Sequence, residues 1–245
     1  MSKSRLDQLL VERGLAETRS KAQALIMAGL VYQGEKKLDK AGQQFDDEIE
    51  LNVRGKEHPW VSRGGMKLAH AIDHFKLTVK DEVVADIGSS TGGFTDVLLT
   101  NGAKKVYAVD VGHGQLDVKL RNDNRVVVME ETNARNLTRE QIPDALDSIV
   151  CDASFISLKK VLPAVMALAK PNAKLIALIK PQFEVGKEIV SRGKGVVRDA
   201  AIHQAVCDDI SEWIAGLNWK VKGIVESPVT GPKGNKEFLI FAVRQ

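Results

Sequence analysis

The chain has 245 residues, of which 44% are hydrophobic and 27% charged, the composition of a folded protein with either one large domain or a large and a small one. Its net charge of +3 favours an acidic partner only mildly, and residues 1–61 hold ten Lys or Arg against ten Asp or Glu, so charge alone does not establish nucleic-acid binding. The longest apolar runs, such as Ala173-Lys-Leu-Ile-Ala-Leu-Ile, fall far short of the roughly 20 residues a membrane helix needs.

The first residues, Met-Ser-Lys-Ser-Arg-Leu-Asp, carry no apolar stretch behind their charges, so no secretory signal is expected. Cys151 and Cys207 are too few and too far apart for a disulfide framework or a zinc site. A cytoplasmic protein with no membrane segment and no metal is the expectation.

Residues 1–55 read as a small α/β unit. Leu6, Leu9 and Leu10 form one stripe of a first helix that Gly14 ends. Thr18 can cap a second helix over 19–28, with Ala22, Leu25 and Ile26 on its inner face and Gly29 as its stop. Strand-like pieces follow at 30–33 and 48–53. Arg54-Gly-Lys-Glu-His-Pro59-Trp60 mixes Gly, Pro and charges, so a linker is expected at about 54–61, between domains of residues 1–58 and 59–245. A helix beginning near Ser62 would bury Leu68, Ala71, Ile72 and Phe75 and leave Lys67 near its amino end, where a cation opposes the helix dipole. His70 and His74 stand four apart, but no third ligand accompanies them, so packed or exposed histidines are expected rather than a metal pair.

The stretch Val83-Val-Ala-Asp86-Ile-Gly88-Ser-Ser-Thr-Gly92-Gly93-Phe94 organises the remainder. An apolar strand ends in an acid and a glycine-rich turn, and Phe94, Val97, Leu98 and Leu99 then repeat at helical spacing. That is the strand–turn–helix entry of a doubly wound domain, where ligands sit beyond the carboxyl ends of the strands. No Lys stands where a P-loop needs one, and the glycine spacing is not that of a dinucleotide fingerprint. Asp110 closes the next strand, 22 positions after Gly88, where it can accept hydrogen bonds from a ribose diol. A ribose acid without a phosphate clamp fits S-adenosylmethionine; the alternative is a tight turn on an ordinary strand.

Strands are expected at 83–87, 105–110, 125–129, 148–152, 174–179, 220–226 and 237–243, with helices near 93–101, 114–121, 158–169 and 199–216. The alternation implies a mostly parallel sheet. The last two strands have only a Gly/Pro loop between them and should pair as a hairpin, making the final strand antiparallel. Residues 182–198 form the longest irregular insertion, with basic Lys187, Arg192, Lys194 and Arg198, either a lid over substrate or a plain loop. Asp152 and Lys180 each end an apolar strand, a costly place for a charge unless the two pair or face a cleft.

Arg5-Leu-Asp-Gln-Leu-Leu, Thr18-Arg-Ser-Lys-Ala and Ala28-Gly-Leu-Val-Tyr resemble the S4 RNA-binding domain. The resemblance implies that Arg5, Arg19 and Lys21 contact RNA backbone, with Lys36 or Lys37 as further candidates; otherwise these charges only solvate a surface. Downstream, Lys67, Asp152, Lys180 and Glu237 match in order and context the tetrad of FtsJ-like ribose 2′-O-methyltransferases. The two resemblances together look like the TlyA family, whose members have historically also been called haemolysins.

What this implies is an α/β fold: a Rossmann-like seven-stranded methyltransferase sheet with an antiparallel last strand, plus a small S4-like domain. It implies methylation of a cytidine 2′-hydroxyl in ribosomal RNA, with S-adenosylmethionine as cofactor and ribosomal RNA or a ribosomal subunit as partner. Cofactor contacts would be Gly88, Ser89, Ser90, Gly92, Gly93, Phe94, Asp110, Asn133 and Asp152; further RNA contacts would be Arg63, Lys187 and Arg192. Lys180 is the candidate base, with Lys67 lowering its proton affinity. Asp152 would position Lys180 or bias the sulfonium end, and Glu237 would hold a lysine or the hydroxyl.

Four rival readings stand against this one. Base-amine enzymes carry an Asn/Asp-Pro-Pro-aromatic motif where this chain has Asp152-Ala-Ser-Phe, and a cytosine-C5 enzyme needs a cysteine nucleophile, whereas Cys151 should point into the core. A ribosome-binding protein without activity would not need the tetrad. A membrane-active haemolysin would need a strongly amphipathic stretch, and none is evident.

Overall fold

The computed structural model describes residues 3–16, 18–53 and 58–245, which form two compact units, Met1–Pro59 and Trp60–Gln245. The linker residues Arg54, Gly55, Lys56 and Glu57 lie outside the described residues.

In the first unit, β1 (Lys3–Arg5) leads into α1 (Leu6–Glu12) and α2 (Arg19–Met27), followed by β2 (Val31–Gln33), β3 (Lys36–Lys37), β4 (Gln44–Asp46) and β5 (Asn52–Val53). β1 pairs antiparallel with β4, and β2 lies between β3 and β5. Leu6, Leu9, Leu10, Ala22, Ile26 and Val31 are buried together, so the helical stripes do the packing their spacing implies. Leu25 is only partly buried. Gly14 and Gly29 follow the helices with φ of 69° each, a left-handed turn that costs glycine little. Thr18 Oγ1 accepts the Lys21 N–H at 3.2 Å as the cap of α2. The strand expected over 48–53 is confined to its last two residues, and β4, with Phe45 its one apolar residue, carries too little pattern to read.

The second unit begins with α3 (Gly64–His74) and continues through β6 (Val83–Ile87), α4 (Gly93–Thr100), β7 (Lys105–Val109), α5 (Val118–Arg121) and β8 (Val126–Met129). Then come β9 (Leu146–Cys151), α6 (Leu158–Val161), α7 (Pro163–Met166), β10 (Ala169–Ile179), α8 (Pro181–Glu184), α9 (Lys187–Arg192), α10 (Ala200–Gly216), β11 (Trp219–Glu226) and β12 (Phe238–Arg244). Among the described residues the sheet has seven strands, ordered β11-β12-β10-β9-β6-β7-β8. β10, β9, β6, β7 and β8 run parallel, while β12 is antiparallel to both neighbours. The sheet is therefore the α/β arrangement with a reversed last strand.

Several expected elements differ. The helix expected near 114–121 is confined to Val118–Arg121, and the strand expected over 174–179 begins earlier, at Ala169. The helix expected over 158–169 is broken into α6 and α7, because Pro163 has no N–H to continue a helix and sits instead at the first position of a new one. The insertion expected to be irregular over 182–198 contains α8 and α9. Its end is pinned: Asn235 Oδ1 accepts the Val197 N–H at 3.1 Å and Asn235 Nδ2 donates to the Gly195 carbonyl at 3.0 Å. Apolar side chains fill both faces of the sheet, Ile149, Leu175 and Ile210 on one and Leu68, Val97 and Leu98 on the other. β6 and β9, central and covered on both sides, thus deliver Asp86, Gly88 and Asp152 rigidly to one edge.

Candidate active site

The glycine-rich turn follows β6 with φ of 80° at Gly88, 48° at Ser90 and 96° at Gly92. A Cβ at Gly88 would stand 2.9 Å from the backbone of Ala153, so only glycine lets β6 and β9 emerge side by side. A Cβ at Gly93 would stand 2.4 Å from Ser62 Oγ and 2.8 Å from the Gly65 nitrogen. The start of α3 therefore lies directly on the start of α4. Asp96, buried in the first turn of α4, ties the two further by accepting the Val61 N–H at 2.9 Å, and the Trp60 ring covers Gly65.

α3 buries Leu68 and Ala71 against the sheet, each Leu of this kind contributing roughly 1.5–3 kcal/mol, and so holds Lys67 inward. Lys67 Nζ donates to Glu237 Oε2 at 2.8 Å and to Asp152 Oδ2 at 3.3 Å. Lys180, at the end of β10, places Nζ 2.6 Å from Asp152 Oδ1. That contact is an ion pair without hydrogen-bond alignment, since Nζ donates instead to the Asp152 carbonyl at 3.1 Å and to Ser154 Oγ at 2.7 Å. The four side chains thus form one alternating row, Glu237, Lys67, Asp152, Lys180. Charges this deeply set persist because each meets its opposite; removing one would strand another. Among the described residues Glu237 Oε1 is a buried acceptor with no hydrogen-bond partner, the kind of vacancy a bound donor fills, whereas Asp152 Oδ1 is already faced by the Lys180 ammonium.

These residues line one cavity of about 200 Å³ with Arg63, Gly88, Ser89, Ser90, Gly93 and Phe94. A second cavity of about 400 Å³ adjoins it through Gly88, Ser90, Asp152 and Ser154, and is lined by Asp110, Gln115, Asn133 and Phe155. Asp110 accepts the N–H of Ser90 at 2.8 Å and of Gly112 at 2.7 Å, bracing the glycine turn against the loop after β7. Asn133 Oδ1 accepts the Arg135 N–H at 3.1 Å, and its Nδ2 has no internal partner among the described residues. The residues expected to surround a cofactor, Gly92 excepted, therefore share two connected hollows at the carboxyl ends of β6, β7 and β9, whereas a Cβ at Gly92 would stand 2.2 Å from Leu120 Cδ1 and so faces the core. Their donor set suits the group: acceptors for an ammonium and a diol, an amide for an adenine edge and a glycine turn admitting close approach.

An FtsJ-like methyltransferase family model matches residues 60–244, and an S4 domain model matches residues 4–48. The chain belongs to the FtsJ-like methyltransferase family. YqxC of Bacillus subtilis, provisionally called an rRNA methyltransferase, is 51% identical over 97% of this chain and 85% of its own length. The 16S/23S rRNA (cytidine-2′-O)-methyltransferase TlyA of Mycobacterium tuberculosis is 45% identical over 98% of this chain and 89% of its own. A solved structure from Streptococcus thermophilus, provisionally called a hemolysin, is 43% identical and superposes with a TM-score of 0.78 over 100% of this chain and 90% of that one.

Several residues of the FtsJ-like domain that shape this site escape a reading of the sequence. Ser154 receives the Lys180 ammonium and borders both cavities. Glu130 accepts the N–H groups of Gly114, Gln115 and Leu116 at 2.9, 2.8 and 3.1 Å, and Arg121 Nη2 at 2.7 Å, so it folds the loop that carries Gln115. Arg121 and these amides hold the Glu130 carboxyl down at about 2. Asp86, fully buried beneath the turn and bonded to Thr95 Oγ1 at 2.6 Å, is pushed up to about 7 by burial. Phe155 is 89% exposed with φ of 65°, its ring 5.1 Å from that of Phe183. The two rings together put an aromatic face on the rim of the second cavity.

Burial pushes the Cys151 thiol up to about 12, which leaves no thiolate for nucleophilic chemistry at neutral pH. His70 and His74 lie with ring centroids 5.8 Å apart, His74 edge-on to Phe75. Among the described residues no helix is long and apolar enough to cross a membrane.

Of the residues expected to meet RNA, Arg63 is exposed at the mouth of the tetrad cavity and Arg192 is exposed at the end of α9. The side chain of Lys187 lies outside what the structure describes. Arg5 and Arg19 are both bonded to Asp7.

Proposed function

We propose that this chain methylates the 2′-hydroxyl of a cytidine ribose in ribosomal RNA of the large subunit, with the small subunit as a second candidate, using S-adenosylmethionine. The observation that carries the reading is the convergence of Lys67, Asp152, Lys180 and Glu237 in one cavity that opens onto the glycine turn. The names of the relatives support the substrate class, and the match of residues 4–48 to an S4 domain supports an RNA partner.

Gly88, Ser89, Ser90, Gly92, Gly93, Phe94 and Asp152 would hold the amino-acid end of the cofactor, Asp110 its ribose and Asn133 its adenine. When bound, S-adenosylmethionine supplies an electrophilic methyl group on a sulfonium. Lys180 can serve as base only as the neutral amine, so it would first give its own proton to solvent and then take that of the 2′-hydroxyl as the ribose oxygen bonds the methyl carbon and the methyl–sulfur bond breaks, a role worth roughly 10²–10⁴-fold for a positioned group. Asp152 orients Lys180, to which it stands 2.6 Å away, and Lys67, 3.3 Å away. Glu237 fixes Lys67, and its free Oε1 offers the hydroxyl a second acceptor. Positioning the hydroxyl is the larger share of the effect.

The RNA-clasping segment is taken as residues 1–58 and the catalytic one as 59–245. Arg5, Arg19 and Lys21 on the first, and Arg63, Lys187 and Arg192 on the second, serve as phosphate contacts, which position RNA without reading its sequence. Phe155 offers a face on which an unstacked base can rest.

The deciding experiment maps ribose methylation in ribosomal RNA from cells with and without the gene, and repeats it with Lys180→Ala. Loss of one or more cytidine methylations in both strains, with S-adenosylmethionine affinity retained by the variant, is expected. Methylation undiminished in Lys180→Ala would remove Lys180 from the mechanism, and an unchanged map without the gene would remove the assignment.

A further inference from the structure

Asp7 lies in the first turn of α1 and is fully buried, yet it is an acid in a small domain with little room for one. Its carboxylate collects four hydrogen bonds from three side chains. Arg5 Nε meets Oδ1 at 3.0 Å, while Arg5 Nη2, Arg19 Nε and Gln23 Nε2 meet Oδ2 at 3.1, 2.9 and 2.8 Å. Arg19 and Gln23 stand four apart on α2, so one face of that helix reaches the acid together. The guanidiniums are not buried with it: the side chains of Arg5 and Arg19 remain 40% and 51% exposed. Arg19 engages through Nε, so both of its terminal nitrogens stay available, and Arg5 uses only its Nε–Nη2 edge.

Two cations on one carboxylate oxygen would repel each other if Asp7 were absent. With it, one charge is neutralised and the other is left on the solvent side. A free arginine samples many rotamers, and binding then costs the entropy of fixing it; these two are fixed beforehand. We propose that Asp7 is a positioning residue that holds Arg5 and Arg19 as a rigid double guanidinium fork for the phosphodiester backbone of RNA. The inference rests on the RNA-binding reading of the N-terminal unit and adds what organises it.

The sign of one substitution separates positioning from simple charge. Asp7→Asn removes a negative charge beside an RNA site, so long-range electrostatics alone would tighten binding. Loss of the fork weakens it. The full-length chain is titrated against purified bacterial 23S ribosomal RNA over a salt series, with circular dichroism to verify the fold. Asp7→Asn is expected to weaken binding about 5- to 10-fold, and the double variant Arg5→Ala, Arg19→Ala more than that, with a shallower salt dependence. Where Asp7→Asn fails to fold, Arg19→Lys carries the test, since lysine keeps the charge but has no Nε anchor; it should weaken binding nearly as much as Arg19→Ala. Binding unchanged or tighter in a folded Asp7→Asn, or full affinity in Arg19→Lys, overturns the fork. An unaffected double-alanine variant overturns the RNA role of these arginines altogether, a distinct result.

Discussion

Lys67 Nζ and Glu237 Oε2 stand 2.8 Å apart although 170 positions separate them in the chain. One sits on the first helix of the catalytic unit and the other just before its last strand, so the contact ties the two ends of that unit's sequence together. Both side chains are nearly dry, Glu237 at 1% exposure. Glu237→Gln keeps the shape and an amide oxygen but removes the charge, leaving Asp152, 3.3 Å away, as the carboxylate partner of Lys67. The methyl-transfer rate measured in single turnover should fall about 10²-fold or more, while melting shows a loss of order 3 kcal/mol. A variant with wild-type turnover would show that the fourth member of the row serves only stability.

Asp86 gives the fold a pH dependence of definite sign. Its carboxyl, pushed up to about 7 by burial, has an ordinary value of 3.8 when solvated. Between about pH 4 and pH 7 the folded chain therefore keeps a proton that the unfolded chain has released. Stability falls as pH rises through that window, by up to about 1.4 kcal/mol per unit, and this contribution levels off above it. Asp86→Asn, which keeps an acceptor for the Thr95 hydroxyl, should flatten that slope in urea melts between pH 4.5 and 8. Parallel slopes in the two proteins would show that Asp86 does not titrate there.

Asp110 is expected to matter for the cofactor more than for the fold. Its oxygens take two backbone N–H groups, from Ser90 and Gly112, and still line the second cavity. Asp110→Ala loses both the brace and the partner for a ribose diol. Isothermal titration with S-adenosylmethionine should show roughly 10- to 100-fold weaker binding, about 1.4–2.7 kcal/mol. Equal affinity would assign the ribose to another residue.

Much of this architecture was legible because strand and helix periods in the second unit are regular and their ends are marked. The glycine turn, the reversed last strand and the burial of Leu6, Leu9 and Leu10 all follow from spacing. Pro163 was legible too and still overlooked, its helix break hidden by apolar residues on both sides. Asp152 and Lys180 stood out because each ends an apolar strand with a charge, but nothing local in Ile149-Val-Cys-Asp152 announces a partner on α3, and the roles of all four came from resemblance. Ser154, Glu130 and Asp7 left no signal at all. Each acts by meeting groups from another element, and a lone serine or acid in a polar stretch looks like solvated surface until the chain is folded.

Phe155 offers a clean separation of RNA binding from everything else. It is nearly all exposed, so replacing it should change stability by no more than about 0.5 kcal/mol, the range of surface substitutions. Its left-handed backbone holds the ring beside Phe183 at the mouth of the cleft, where hydrophobic burial has no use for it. Stacking of a base on an aromatic is worth roughly 1–3 kcal/mol, so Phe155→Ala should lower kcat/KM for ribosomal RNA about 5- to 150-fold. Affinity for S-adenosylmethionine should stay within twofold or so, and Phe155→Trp should restore most of the loss because the indole also offers a flat face. If alanine and tryptophan variants methylate equally well, the exposed ring has no part in holding the target strand.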